Sequence, residues 1–253
     1  MKRKIKILTH ILSWILLVVA LVVSLAFSWS ETSSVECSEV VVKYDGDQMV
    51  QLSSQEIIRI VKGADKNLIG KKLREINSEE IEKEVETHSA ILKADAYKLV
   101  VRDSTNYRGI LAVKVRHRTP IMRVMARDAS YFLDAEGAKF PTSTRYSANV
   151  VIVTGNVNEE LAKNSLLPMV LYVAGNDFWK AQIKQIHVDR NEELILTPLV
   201  GNQLIEFGTA GDYREKLRNL MAFYEQVLSK SNWNKYERIN LKYNNQIIAK
   251  KRD

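Results

Sequence analysis

Residues that carry chemistry are scarce in this 253-residue chain. A single cysteine, Cys37, excludes an internal disulfide and any multi-cysteine zinc or iron–sulfur site. The four histidines, His10, His88, His117 and His187, are scattered, with no i, i+4 pair and no His-Glu-x-x-His run, so no metal site is expected. Gly-x-Ser-x-Gly, Gly-x-Gly-x-x-Gly and P-loop patterns are missing, and no serine has a lysine three residues on. No catalytic residue, no cofactor and no enzyme activity are therefore expected. Ten glycines and four prolines leave no low-complexity linker, and no internal repeat is visible. Excess charge is also lacking where it would matter. The formal charge is +7, but Lys2, Arg3, Lys4 and Lys6 hold four of the 37 cations, leaving 33 basic against 30 acidic residues beyond them. A near-neutral body excludes a phosphate-binding groove and a nucleic-acid partner.

What is present begins with a greasy run. Residues 1–6 form a short basic stub, and 7–30 contain no Asp, Glu, Lys or Arg. As a helix these 24 residues rise ~36 Å, enough to cross a ~30 Å hydrocarbon core with some tilt. Trp14 and Trp29 lie toward its two ends, where indoles favour the headgroup zone. The cations before the run, against Glu31 after it, place the N-terminus in the cytoplasm and the bulk of the chain outside, as a single-pass type II membrane protein. A cleaved signal peptide is the rival, because Ala26-Phe27-Ser28 is spaced like a cleavage site. Both readings put the body outside the cytoplasm.

The body has two parts. Glu39–Tyr44 reads as a strand. Ser53 with Glu56 forms a capping box ahead of Ile57, Ile58 and Val61, with Gly63 as the expected stop. Asn77 with Glu80 repeats the device ahead of Ile81 and Val85, and the Glu79–Glu86 run reads as the solvated face of that helix. Strands are expected over Ile91–Val101 and Gly109–Arg116, giving a β-α-α-β-β order. In the second part, Tyr131–Gly137 alternates into a turn and Val150–Val153 reads as a strand. Asn158 or Ser165 caps helices reaching Val173. Ile183–Val188, Leu194–Leu199 and Gln203–Phe207 form a meander. Asp212 and Glu215 open a helix whose stripe runs Tyr213, Leu217, Leu220, Met221, Tyr224, Val227, Leu228. Arg238–Tyr243 and Gln246–Lys250 close the chain as a hairpin over Asn244-Asn245. Asp134 and Glu136 suggest a glycosidase pair by type, but their spacing beside Gly137 fits a turn in which Asp bonds its own backbone.

Gly63, Leu73, Ile76, Ile81 and Val85, then Leu111-Ala112-Val113-Lys114-Val115 and Arg118-Thr119-Pro120-Ile121, resemble a POTRA module, specifically that of the FtsQ/DivIB bacterial cell-division proteins. The ending Arg-Ile-Asn-Leu-Lys-Tyr-Asn-Asn-Gln-Ile-Ile-Ala-Lys-Lys is similar to that family's C-terminal hairpin, so the resemblance spans nearly the whole chain. The family's proline before the second strand is replaced here by His88-Ser89-Ala90. The implied fold is α+β: a transmembrane helix over 7–30, a POTRA module over 37–118, and over 119–253 a mostly antiparallel β domain with an amphipathic helix and the hairpin. The implied function is a non-catalytic divisome scaffold at the septum that binds FtsB-like and FtsL-like single-pass proteins, among other divisome components, and regulates septal peptidoglycan synthesis. The implied partner-binding residues are Lys242, Tyr243, Gln246, Ile247, Ile248, Ala249 and Lys250, with Lys242 meeting a partner carboxylate. A membrane-anchored lipid-shuttle subunit of the LptC kind shares topology and size and is the alternative; such proteins are nearly all β, against the capped helices read here.

Overall fold

A computed structural model describes residues 13–24, 35–46, 52–103, 106–142, 147–229, 233–243 and 246–252. A helix runs over 13–24, and its apolar side chains from Trp14 to Val23 are exposed. Among the described residues no helix is long and apolar enough to cross a membrane. Residues 7–12 and 25–30 of the expected span lie outside the described residues. From residue 35 onward the chain divides into two units, between Arg116 and His117.

In the first unit β1 (Cys37–Tyr44) is followed by α1 (Ser54–Ala64), a short turn at Leu73–Glu75, α2 (Ser78–Glu86), β2 (Ile91–Asp103) and β3 (Asn106–His117). The β-α-α-β-β order is the expected one. Both caps form: Ser53 Oγ accepts from the Glu56 N–H while the Glu56 carboxylate accepts from the Ser53 N–H, and Asn77 Oδ1 accepts from the Glu80 N–H. Helix α1 runs one residue past Gly63, to Ala64. The sheet order is β1-β3-β2, with β1 parallel to β3 in a register that sets Val40 beside Leu111 and Val42 beside Val113. Ile57, Val61, Ile81 and Val85 from the helices pack with Leu111, Val113 and Val115 from the central strand. Gly109 lets the start of β1 close on β3, since a Cβ there would sit 2.5 Å from Glu36 O.

The acidic run of α2 is not merely a solvated face. Glu82 Oε1 accepts from the Ala96 N–H at 2.7 Å and Glu86 Oε1 from the Ala94 N–H at 3.0 Å. Strand β2 is at the edge of its sheet, so two glutamates at i, i+4 occupy N–H groups that a neighbouring strand would otherwise take.

The second unit holds β4 (Met122–Ala126), β5 (Ser130–Leu133), β6 (Lys139–Pro141), β7 (Val151–Gly155), a helical run α3 (Glu159–Leu161, Ala162–Leu166 and Leu167–Ala174), α4 (Asp177–Gln182), β8 (Ile183–Val188), β9 (Leu194–Pro198), β10 (Leu204–Gly208), α5 (Tyr213–Phe223, continued by Tyr224–Leu228), β11 (Tyr236–Asn240) and β12 (Ile248–Lys251). Nine strands form one sheet in the order β12-β11-β10-β9-β8-β7-β4-β5-β6. The β8-β9-β10 meander forms as read from the sequence.

The sheet is mixed: five of its eight strand pairs are antiparallel, as the expected mostly antiparallel domain requires, while β4–β7, β7–β8 and β10–β11 are parallel. The reason lies in the connections. A parallel neighbour needs a crossover, and α3–α4 supply one between β7 and β8 as α5 does between β10 and β11. Asn158 caps α3 by accepting from the Leu161 N–H, and the helix runs on through Ser165 rather than restarting there. Its second turn is widened, with the Leu167 N–H donating to Ala162 O. Pro168 follows at once; it has no N–H to give and its ring crowds the preceding turn, so a wider turn accommodates it. The stripe of α5 is buried at Leu217, Leu220, Tyr224 and Leu228. Tyr224 meets Trp179 and Trp233 with ring centroids 6.0 Å and 5.4 Å away, in the core that Ile186, Leu196, Ile205 and Ile239 line from the sheet.

Candidate partner-binding edge

Strand β12 is outermost in the nine-stranded order and pairs antiparallel with β11, setting Ile248 opposite Asn240, Ala249 opposite Ile239 and Lys250 opposite Arg238. Alternation then sorts the residues. Ile247 and Ala249 are partly buried against the core, while Ile248 is 46% exposed and Lys250 is exposed beside Glu237, 3.1 Å from its carboxylate. That contact, with the Lys250 charge, holds the Glu237 carboxyl below its ordinary range. Gln246 is exposed and lies, with Ile247, ahead of the strand instead of inside it. The expected turn at Asn244-Asn245 lies outside the described residues.

Strand β11 stops at Asn240, short of the expected Tyr243, and the cause is local. Asn240 Oδ1 accepts from the Lys242 N–H at 2.9 Å, and the Leu241 N–H donates to Glu206 O on β10 at 2.8 Å. The Leu241 bond is the last rung of the β10–β11 ladder, and beyond it Tyr243 is 58% exposed. Tyr243, Gln246 and Ile247 share a small notch with Lys216 and Asn219 of α5. The Lys216 ammonium donates to Thr209 O, and burial lowers its pKa.

Lys242 already has a carboxylate within the chain: its ammonium is bound to Glu193. That hydrogen bond, with the Glu193, Glu206 and Asp189 charges behind it, raises the Lys242 pKa. Glu206 ties β10 to β11 twice, accepting from Arg238 Nη1 at 2.7 Å and from Asn240 Nδ2 at 2.9 Å. It thereby raises the Arg238 pKa. Glu193, Glu206 and Glu237 were not singled out by the sequence; only the strand order brings them to this edge.

The other residues weighed for chemistry have structural partners. Asp134 is buried, with Oδ1 accepting from the Glu136 and Ala138 N–H groups and Oδ2 from Arg118 Nη1 at 2.6 Å. Asp134 is thus the turn residue that its spacing suggested, with an unforeseen arginine. Glu136 is exposed. His88 Nδ1 accepts from the Ala90 N–H, and His187 Nδ1 meets Thr154 Oγ1 at 3.1 Å. His117 is buried, and His10 lies outside the described residues. Among the described residues no three His, Cys, Asp or Glu side chains group as metal ligands.

The edge can offer an added strand backbone hydrogen bonds, an exposed aromatic and a row of cations. No individually curated protein matches the chain. A POTRA-like domain matches residues 35–102, across β1 to β2 of the first unit. The family described as FtsQ/DivIB, C-terminal related, matches residues 119–250, more than half of the chain and the sheet of the second unit from β4 into β12, and the chain belongs to that family.

Proposed function

We propose that this protein is a single-pass, non-catalytic scaffold of the division machinery, anchored in the inner membrane through residues 7–30 with its POTRA-like module and β domain outside the cytoplasm. Family membership supports a cell-division scaffold role. The finer reading is that the β12 edge takes a strand from an FtsB-like partner, in a complex with an FtsL-like protein that tunes septal peptidoglycan synthesis. The observation that carries it is the place of β12: outermost in the sheet and, among the described residues, hydrogen-bonded in it to β11 alone. A strand edge with that position offers backbone groups to a second chain. Tyr243 supplies a rigid aromatic contact, and Gln246 to Lys250 supply the edge itself. Lys242 enters the reading in modified form, since a partner carboxylate has to displace Glu193 from it.

The test is calorimetry of the full chain in detergent micelles against an FtsB-like partner. Truncation after Asn245 removes β12 and is expected to abolish binding while the second unit keeps its cooperative unfolding. Tyr243→Ala is expected to weaken binding by roughly tenfold, as for an aromatic anchor. Lys242→Glu should weaken it more at low salt than at high, because an exposed charge is screened. Unchanged affinity in a folded truncation refutes the edge as the partner site.

A further inference from the structure

Strands β4, β7 and β8 lie side by side and parallel, so the loops leaving their carboxyl ends emerge together. From β4 the chain goes to β5 on one side; from β7 it goes, through α3 and α4, to β8 on the other. Connections that diverge from neighbouring parallel strands leave a crevice between them, and such crevices are where sheets of this kind hold ligands. A cleft of about 670 Å³ lies at this place.

Each of the three loops brings a hydrogen-bond donor to it: Arg127 after β4, Asn156 after β7 and Arg190 after β8, with His187 beside them. All four are exposed, and neither guanidinium has an ion-pair partner among the described residues. The carboxylate of Asp189 also lines the cleft but is committed to its own turn, with Oδ1 accepting from the Asn191 and Glu193 N–H groups. Met125, 40% exposed, adds apolar surface to the cleft. The loops are tightly set. Gly155 has φ +97° and a Cβ on it would lie 2.1 Å from Val188 O, and the Asn156 N–H donates to that same oxygen at 2.9 Å.

Two guanidiniums on separate loops, across apolar surface, match a chain that carries two carboxylates around an apolar side chain. Arginine takes a carboxylate through two parallel N–H···O bonds, which fixes orientation as well as charge. Asp189 leaves the cleft with one carboxylate to two guanidiniums, a lower charge than a site built for a polyphosphate. We propose that this cleft binds an acidic polypeptide segment, Arg127 and Arg190 each holding a carboxylate and Asn156 a further oxygen. Its 189–193 turn reaches Lys242 through Glu193, but none of the residues proposed to bind here belongs to β12, so truncation after Asn245 separates this site from the C-terminal edge.

The test uses the full chain in detergent micelles and a fluorescein-labelled peptide in which glutamate and leucine alternate. Saturable binding by anisotropy is expected, weakened roughly tenfold by the paired exposed-surface variant R127A/R190A, less by R127K/R190K, and reduced at 0.3 M salt. Hydrogen exchange should slow in segments covering 125–128, 155–158 and 187–191, and truncation after Asn245 should leave all of this unchanged. The glutamine version of the peptide and inorganic phosphate should not compete. The proposal is overturned by absence of saturable binding, by protection elsewhere, by binding that survives R127A/R190A in a folded protein, or by equal competition from phosphate.

Discussion

Removing the carboxylate of Asp134 measures what a residue of catalytic type does in this fold. Its side chain is 3% exposed, against 23% for Arg118, and the two meet at 2.6 Å. Oδ1 accepts from the Glu136 N–H at 3.1 Å and the Ala138 N–H at 2.7 Å. In Asp134→Asn the amide oxygen keeps those two bonds, while the amide nitrogen faces Arg118 Nη1 donor to donor, so the ion pair is lost and the guanidinium has to turn away. Arg118 is open enough to hydrate in part, so the loss is about 1–2 kcal/mol, below the ~3–5 kcal/mol for stranding a fully buried charge. Arg118→Ala strands the more deeply buried partner, still held by two N–H donors, and is expected to lose about 2–3 kcal/mol. Asp134→Ala forfeits the turn acceptor as well, for about 3–4 kcal/mol. Urea unfolding followed by the fluorescence of Trp179 and Trp233 reports the second unit, with the midpoint moving and the slope unchanged. In a double-mutant cycle Asp134→Asn and Arg118→Ala should couple by about 1–2 kcal/mol. An Asp134→Ala protein that loses less than about 1 kcal/mol refutes the reasoning, and a gain in stability would point to a carboxylate held in strain for chemistry.

Gly155→Ala should destabilise the second unit by more than about 2 kcal/mol, since it adds a left-handed penalty of ~1–2 kcal/mol to the clash with Val188 O; thermal unfolding checks it. The pair Glu82→Ala and Glu86→Ala should speed hydrogen exchange at Ala96 and Ala94 at least tenfold, while both remain slow in the native protein; equal rates would dismiss the carboxylates as edge caps. Asp65 is held below its ordinary value of 3.8 mainly by its hydrogen bond from Lys71, and Asp45 by those from Lys114 and Arg116. A lowered folded pKa means stability fully present above 3.8 and lost as pH falls through the lower folded values, so the first unit should hold steady down to about pH 5 and weaken in stronger acid. Asp65→Asn should flatten that acid limb without moving its neutral plateau by as much as about 1 kcal/mol.

Local chemistry was legible in the sequence, and neighbourhood was not. Ser53 with Glu56, Asn77 with Glu80 and the stripe from Tyr213 to Leu228 each declare a helix, because a cap or a face is set by residues within a few positions. The three strands from Ile183 to Phe207 declare themselves by β-branched runs between turn residues. Which strands lie side by side is set by crossovers, so the parallel β10–β11 pair, and with it Glu206 bridging to Arg238 and Asn240, carries no pattern along the chain. Glu82 and Glu86 look like any solvated helical pair until β2 arrives beside them. Lys242 was legible as a cation near the last turn but not as the partner of Glu193, which is 49 positions away. Asn240 ends β11 early through a bond between side chain and backbone that a strand-forming context hides.

The unequal ends of the large sheet fix how many chains it can recruit. At one end β6 is three residues long and closes on Pro141, which has no N–H to give a newcomer. At the other, β12 carries Lys250 and Lys251, with Arg252 following, and a second copy laid parallel and in register on it would set like charges opposite one another. Head-to-tail growth is opposed at the first end and in-register parallel self-pairing at the second. If β12 is the partner edge proposed above, the sheet has a valence of one: an acidic or neutral strand from a different protein would terminate it, giving a defined heteromer rather than a fibre.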